Sequence, residues 1–590
     1  MKTHLLLFGF LFFFIDVVRC QDAQFHYTVE VRNPRSDKAH VTLDLINISE
    51  KTATFYMPAW SPGNYEMCQF GKWIDSLRAF DSAATPLTVK RIGANEWTIS
   101  NARKLRKITY IAHDIPEDSL DTLPTTLSEM GDDFYFFNGP AVFGYLKNHK
   151  SQPYTISYVL PSDWRVWCGL DQQKPLSFFA ENYDRLIDSP VLAGGPRIKT
   201  YDFELNKTLY TMVVNSESNV AMDSLIEFTK QCIHYQTGFF GETPFKHYYF
   251  LLNFSTNNSR YGALEHLNSS AYFLPPPTRQ ASLRSSFYTR VIAHEFFHVW
   301  NPKVIFPSEL SNFNYQDSVR FKSMWFIEGV TEYYAKLTLV RSGIIAPSQL
   351  YEDMKNIALS DTRDDLEYLS LRAAEVGVAN SMYTKGALIA YFMDIECRDK
   401  TNNKKTLDDV VLYFNKEFGQ KKKAYNDEKV IKIFKQATGV DFKSFYKKYV
   451  RGKETIPVTT YFEKAGLSYE YSYPPYYGWY FDIDDKGRLF VATVSENSTA
   501  SALGLKAGDI VQELGQCKIN TDLEEIRRCV QDAESLKVGE NIRLIVDRGG
   551  SLLELNAKVK SGTQPNVIIK ENPNATAKQI LIRKSIIITK

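Results

Sequence analysis

The sequence predicts a multidomain α+β protein, and three observations carry that reading. Its 590 residues, 44% hydrophobic and 23% charged, have ordinary globular composition and make too long a chain for one hydrophobic core. Apolar residues recur with a period near two up to about residue 199, then three and four apart from about residue 200 to 453. After a Pro/Tyr-rich joint at Tyr471 to Tyr477, a compact module of about 90 residues runs to Lys560, and a tail follows.

The chain opens with MKTHLLLFGFLFFFIDVVRC, one early Lys followed by an apolar run from Leu5 to Ile15. This pattern is that of a cleaved secretory signal over residues 1–20, so the expected location is exported, periplasmic or extracellular. A buried helix or membrane anchor fits less well, because the run is shorter than the roughly 20 residues a bilayer span needs and Asp16 interrupts it. Arg19 before Cys20 is a poor fit to a lipoprotein site, and no later stretch is apolar enough for a transmembrane anchor. Sequons stand at Asn47, Asn206, Asn253, Asn257, Asn268, Asn497 and Asn574.

Residues 21–200 read as an N-terminal antiparallel, sandwich-like β domain. Alternating segments such as Phe25 to Val31, His40 to Ile46 and Lys107 to Ala112 are separated by Pro, Gly, Asn and Asp turns. Residues 201–460 read as mainly helical, with patterns at Ser224 to Thr237, Leu283 to Val299, Met324 to Arg341, Pro347 to Ser360, Tyr383 to Cys397 and Thr406 to Phe418.

Charge and cysteine content narrow the chemistry. Seventy Lys and Arg against 68 Asp and Glu give a formal charge of +2, which disfavours nucleic-acid binding by bulk charge. Seven scattered cysteines with no C-x-x-C pair exclude a disulfide-knotted scaffold and a cysteine zinc finger. Any metal must then be held by His and carboxylates.

The strongest motif is His294-Glu-Phe-Phe-His298. Residues four apart share a helix face, so two imidazoles can grip one Zn²⁺ while Glu295 points toward a metal-bound water as general base. Catalytic zinc takes three protein ligands, and Glu328 is the best third, because an acid in the apolar helical run Met324 to Tyr334 is expensive unless paired or metal-bound. Glu332, one turn later, is equally well read as a carboxylate orienting a ligand imidazole or as a solvated helix residue.

The runs His294 to Asn301, Trp325 to Tyr334 and Tyr383-Thr-Lys-Gly-Ala-Leu388 resemble the glycyl aminopeptidase family of gluzincin metallopeptidases. Pro58-Ala-Trp-Ser-Pro-Gly-Asn-Tyr65 and Leu186-Ile-Asp-Ser-Pro-Val191 are similar to that family's N-terminal β domain. The resemblance implies a thermolysin-like zinc peptidase domain with His294, His298 and Glu328 as ligands of one Zn²⁺ and Glu295 as base. It further implies that the Tyr383 hydroxyl stabilises the tetrahedral intermediate, and that Glu265, in Gly262-Ala-Leu-Glu-His266, binds the substrate's free amino group. Asn301 to Pro307 departs from the family, which commonly carries a further basic residue near Val304 or Phe306. The 29 residues between His298 and Glu328 suit the glycyl aminopeptidase branch better than the leucotriene-hydrolase-like one and count against Asp317 as a ligand.

At 465–562, Gly478-Trp-Tyr-Phe481 and Ala502 to Ile510 resemble a PDZ domain, with Asp522-Leu-Glu-Glu525 opening its groove helix. The implied partner is a peptide or protein C-terminus, and the alternative is a purely structural β module. Cys517 and Cys529 fall in this module, where a bridge depends on their separation. Residues 563–590 read as a basic tail, solvated or strand-forming. The functional expectation is an exported zinc aminopeptidase acting on peptides, with Gly or Ala as first residue by resemblance. The alternatives are a thermolysin-like endopeptidase and a non-catalytic peptide-binding protein that works through its PDZ-like module.

Overall fold

The computed structural model describes residues 25–115, 127–254, 261–276, 286–360, 363–563 and 566–588. The signal segment with Cys20, and the sequon at Asn257, lie outside the described residues. The chain divides into two units, one made of residues up to 350 with 357–456, the other of 457–586 with 351–356.

The first unit opens with three sheets of eight, four and four strands. Strand Phe25–Glu30 alternates buried and half-buried side chains along its length, as a sheet with one face on a core requires. It pairs antiparallel with Lys38–Leu45 on one side but parallel with Tyr154–Val159 on the other, so the expected antiparallel domain holds a parallel pair. Aromatic rings fill the core, and three of their hydroxyls are satisfied by three consecutive carbonyls. Tyr110 donates to Val142 O (2.8 Å), Tyr183 to Phe143 O (2.6 Å) and Tyr27 to Gly144 O (2.6 Å). Such donors would each cost free energy if buried without a partner.

The region from residue 200, expected to be mainly helical, begins with a five-stranded sheet. Its order is Lys199–Leu205, Thr208–Ser216, His247–Phe254, Ser269–Leu274 and Gly262–Glu265. The three central strands are parallel, and helix Asp223–Phe240 makes one crossover. Strand Ser269–Leu274 is buried at all six positions, so it shows no period of two, which is why these strands escaped a search for alternation. The sequon at Asn253 lies in this sheet, 3% exposed and accepting a hydrogen bond from Asn215, whereas Asn47, Asn206, Asn497 and Asn574 are exposed.

Four helical segments carry or support the chemistry: Ser286–Phe297, Trp325–Val330, Thr331–Arg341 and Asn380–Lys400. Trp325–Val330 is a π-helical turn running directly into Thr331–Arg341. This turn crosses Asn380–Lys400 at Gly329 and Gly386, so closely that a Cβ on Gly386 would lie 2.7 Å from Gly329 Cα. Glycine is needed at both positions for the backbones to meet.

In the second unit, Trp479–Ile483, Leu489–Val494, Ile510–Leu514, Asn541–Arg548 and Ser551–Lys558 form a sheet against helix Leu523–Ala533. Asp522 caps that helix, accepting from Glu524 N (2.9 Å) and Glu525 N (3.2 Å). Of the segment compared with a PDZ carboxylate loop, Trp479 to Phe481 lies in an edge strand, with Trp479 buried in the module core and its Nε1 donating to Glu534 (2.9 Å). Cys517 and Cys529 are neighbours and both remain thiols. The basic tail, read as solvated or strand-forming, contains a strand and a helix. Asn566–Glu571 pairs antiparallel with Leu467–Ser472, and helix Ala577–Ile587 buries Arg583, which donates to Gly466 O (2.5 Å) and pairs with Glu571 (2.7 Å). Scanning that segment for charge alone missed the apolar Ile582 and Ile586, which pack inward.

Candidate active site

Helix Ser286–Phe297 presents His294, and the turn that follows keeps the helical bond from His298 N to His294 O (3.3 Å), so both imidazoles share one face. The π-helical turn brings Glu328 against them. Its Oε2 is 3.5 Å from His294 Nε2 and 3.5 Å from His298 Nε2. Ligand atoms about 2.0–2.1 Å from a tetrahedral zinc stand about 3.4 Å from one another, so these three donors fit that ion.

The far side of each imidazole is fixed as a ligand requires. His298 Nδ1 donates to Asn301 O (2.6 Å), and His294 Nδ1 donates to Glu332 Oε2 (3.0 Å), which leaves both Nε2 atoms free to bind metal. Glu332 is buried rather than solvated, and Arg290, one turn before His294, donates to both of its oxygens at 2.9 Å. Burial would raise the Glu332 carboxyl, but His294, Arg290 and Lys336 hold it down to about 2. Burial likewise opposes ionisation of Glu328, and the two imidazoles bring it down to about 2. A π turn leaves carbonyls out of the ordinary helical ladder, and Asn301 takes two of them through Nδ2, Phe326 O (3.0 Å) and Ile327 O (3.3 Å). Asn301 thus ties the loop after His298 to the turn carrying Glu328, a role that motif spacing did not reveal.

Glu295 is buried beside the triad. Burial pushes its carboxyl up to about 7 against the pull of His294 and His298, with Glu265 and Glu328 adding to the rise. Tyr383, in the first turn of Asn380–Lys400, has its ring 5.6 Å from that of His294. Glu265 ends an edge strand, and its carboxylate gathers with Glu295 and His298 in a second cluster whose ligand atoms lie within 4.8 Å of one another. Asp317 is not in either cluster and accepts from Ser318 N in an exposed loop.

Three further residues were not assigned from the sequence. Asp188, from the N-terminal β domain, accepts from Lys303 Nζ (2.8 Å), His266 Nδ1 (3.2 Å) and Leu267 N (3.0 Å). Burial would raise its carboxyl, yet Lys303 and His266 hold it well below the usual carboxylate range. Lys303 Nζ, the one basic group in Asn301 to Pro307, is also 3.9 Å from Glu265 Oε1. Tyr65 is buried against Glu265 and Glu328 with backbone φ of 62°, and its phenol is raised well above its ordinary value first by burial and then by those two carboxylates. Gly63, at φ +92°, leaves the space Glu265 occupies, since a Cβ there would lie 2.9 Å from Glu265 Oε2. Asp188 and Tyr65 both sit in segments that the family resemblance had quoted. A cavity of about 400 Å³ opens beside Glu265, with Phe306, Phe313 and Tyr315 on its wall and Glu181 and Asp184 among its acids.

Residues 26–195 match the family model of the peptidase M61 N-terminal domain, and residues 288–389 match that of M61 glycyl aminopeptidase. Two stretches of one chain thus match the models of an M61 N-terminal domain and of an M61 catalytic domain, a pairing that supports a metallo-aminopeptidase. An aminopeptidase N family protein from Idiomarina loihiensis shares the fold, with TM-score 0.71 at 21% identity over 96% of this chain and 100% of that one. An M1 zinc metallopeptidase variant from Deinococcus radiodurans bound to a Tyr-Ser-Ala substrate is more distant, with TM-score 0.48 at 14% identity over 74% of this chain and 95% of that one. Legionella pneumophila aminopeptidase A in complex with aspartic acid gives TM-score 0.46 at 14% identity over 93% of this chain and 57% of that one. No curated protein sequence matches the chain. Among the described residues no helix is long and apolar enough to cross a membrane.

Proposed function

We propose that the protein is an exported zinc aminopeptidase that removes single residues from the N-termini of peptides. The observation that carries this reading is the pair of clusters sharing His298: three donors spaced for one tetrahedral zinc, and Glu265 closing the same site with a second carboxylate. Zinc bound there would lower a water's pKa toward about 7 and polarise the scissile carbonyl. Glu295, buried beside the three donors, is the base that would take a water's proton and pass it to the leaving amine. The Tyr383 hydroxyl donates to the developing oxyanion, and Glu265 pairs with the substrate ammonium.

The exopeptidase reading is favoured over the endopeptidase one by what surrounds Glu265. The Pro62-Gly63 loop of the N-terminal domain approaches its carboxylate so closely that a Cβ on Gly63 would lie 2.9 Å from Oε2, which supports a fixed negative charge for a substrate ammonium to meet. Gly and Ala are the proposed first residues. The 400 Å³ cavity has room beyond a methyl group, so the substrate panel runs from Gly-amide to Lys- and Arg-amides. The test uses Glu295→Gln, expected to keep one zinc per chain while peptidase activity falls by orders of magnitude. Equal cleavage of N-acetylated and free-amine peptides by the wild type would overturn the exopeptidase assignment and the role of Glu265.

A further inference from the structure

The molecule's near-neutral charge hides one segment with a strongly basic exposed surface. Between Lys416 and Lys453 the sequence places twelve Lys and Arg against four Asp and Glu, in a chain whose formal net charge is +2, so the remainder is net acidic. All twelve basic side chains are exposed. Helix Val430–Thr438 turns Val430, Ile433, Phe434 and Ala437 inward and leaves Lys432 and Lys435 outside. Next along the chain, Phe445, Tyr449 and Val450 are buried while Lys443, Lys447 and Lys448 are exposed.

The four acids do little to offset this. Asp427 is buried and accepts the backbone N–H groups of Lys322 and Ser323, and Glu428 pairs with Lys322 (2.6 Å), outside the basic stretch. Glu417 and Asp441 each take one lysine, Lys421 and Lys435. Lys422, Lys423, Lys429, Lys432, Lys443 and Lys447 form no ion pair among the described residues. Like charges within a Debye length of about 8 Å repel one another, and a bound polyanion relieves that repulsion while releasing its counterions.

The chemistry of the face selects among polyanions. None of the exposed large hydrophobic side chains of the described residues falls between 416 and 453, so the face lacks the apolar anchors of an interfacial membrane binder. It lacks exposed aromatic platforms for stacking bases for the same reason. Eleven of the twelve cations are lysines, point charges that suit diffuse attraction to sulfate or carboxylate groups better than forked recognition of one phosphate. We infer that this face binds a linear anionic polysaccharide, a sulfated or carboxylated chain of the kind met outside the cell, and, resting on the export and peptidase activity proposed above, holds the peptidase there.

The test is equilibrium binding of the full chain to heparin, with phosphatidylglycerol vesicles and duplex DNA as separate arms. If four lysines neutralise polyanion charge, raising salt from 50 to 150 mM should weaken heparin binding about 20-fold, from a slope of roughly −0.7 per charge. The variant Lys422→Glu/Lys423→Glu/Lys432→Glu/Lys443→Glu should lose heparin binding by about 100-fold or more and keep its unfolding midpoint and aminopeptidase kcat/KM. The matching Lys→Gln set removes charge without reversing it, should weaken binding by at least tenfold, and serves if the Glu set misfolds. Heparin binding that survives either set, or tighter binding to the vesicles or DNA than to heparin, overturns the inference.

Discussion

The Asp188–Lys303 pair offers a quantitative test of how the N-terminal domain serves the site. Asp188→Asn leaves the Lys303 ammonium, whose side chain is 13% exposed, without its 2.8 Å partner and with Glu265 Oε1 as the nearest carboxylate at 3.9 Å. Removing one member of a buried pair costs about 3–5 kcal/mol, and the 20% exposure of the Asp188 side chain places this case near about 3 kcal/mol. At about 2 °C per kcal/mol for a large domain, the unfolding midpoint should fall by roughly 6 °C. Lys303 would then turn toward Glu265 and compete with the substrate ammonium. That removes ground-state and transition-state binding alike, so KM should rise about tenfold while kcat holds. Asp188→Asn/Lys303→Met removes both charges and should recover at least about 2 kcal/mol, read as the coupling term of a double-mutant cycle. The pair also has a pH signature. Because the folded Asp188 carboxyl is held well below its ordinary value of about 3.9, its stabilisation is fully present above that value and lost as pH falls through the folded one. The midpoint gap between wild type and Asp188→Asn should therefore be constant above about pH 5 and shrink below about pH 4. Additive single-mutant effects, or a gap that widens in acid, would refute the reasoning.

Glu332→Gln keeps the shape beside His294 but drops the charge shared with Arg290 and Lys336, so zinc affinity measured against a chelator should weaken by about 10–100-fold, and an unchanged affinity would count against it. Gly386→Ala inserts a methyl where Gly329 Cα approaches; it should destabilise by about 1–3 kcal/mol and lower kcat by separating Tyr383 from Glu328, whereas wild-type stability would contradict the close crossing. Expressed through a glycosylating secretory route, the chain should carry glycans at exposed sequons such as Asn47 and Asn206 and none at Asn253, as site mapping by mass spectrometry can show.

How much was legible in the sequence depended on how far apart the partners lie. Helix spacing put His294, Glu295 and His298 on one segment, and an acid inside an apolar run marked Glu328. The alternating strands Phe25–Glu30 and Lys107–His113 could be read within a residue or two of their ends. The buried parallel strands from Thr208 to Leu274 could not, because a strand covered on both faces has no alternation to detect. Glu332 was ambiguous for a related reason: one turn from Glu328, it could face either solvent or His294, and only the helix packing puts Arg290 and His294 against it.

The sequence by itself determined the local chemistry: a helix that can present two imidazoles, a carboxylate beside them, and another in a later helix. Tertiary structure alone decided that Glu265 meets His298, that Asp188 reaches from the N-terminal domain to hold Lys303, and that Gly329 and Gly386 bring Tyr383 to the site. The physical reason is that neighbours along a helix or strand are fixed by its period. Groups 33, 115 or 57 residues apart become neighbours only when the whole core has packed around them.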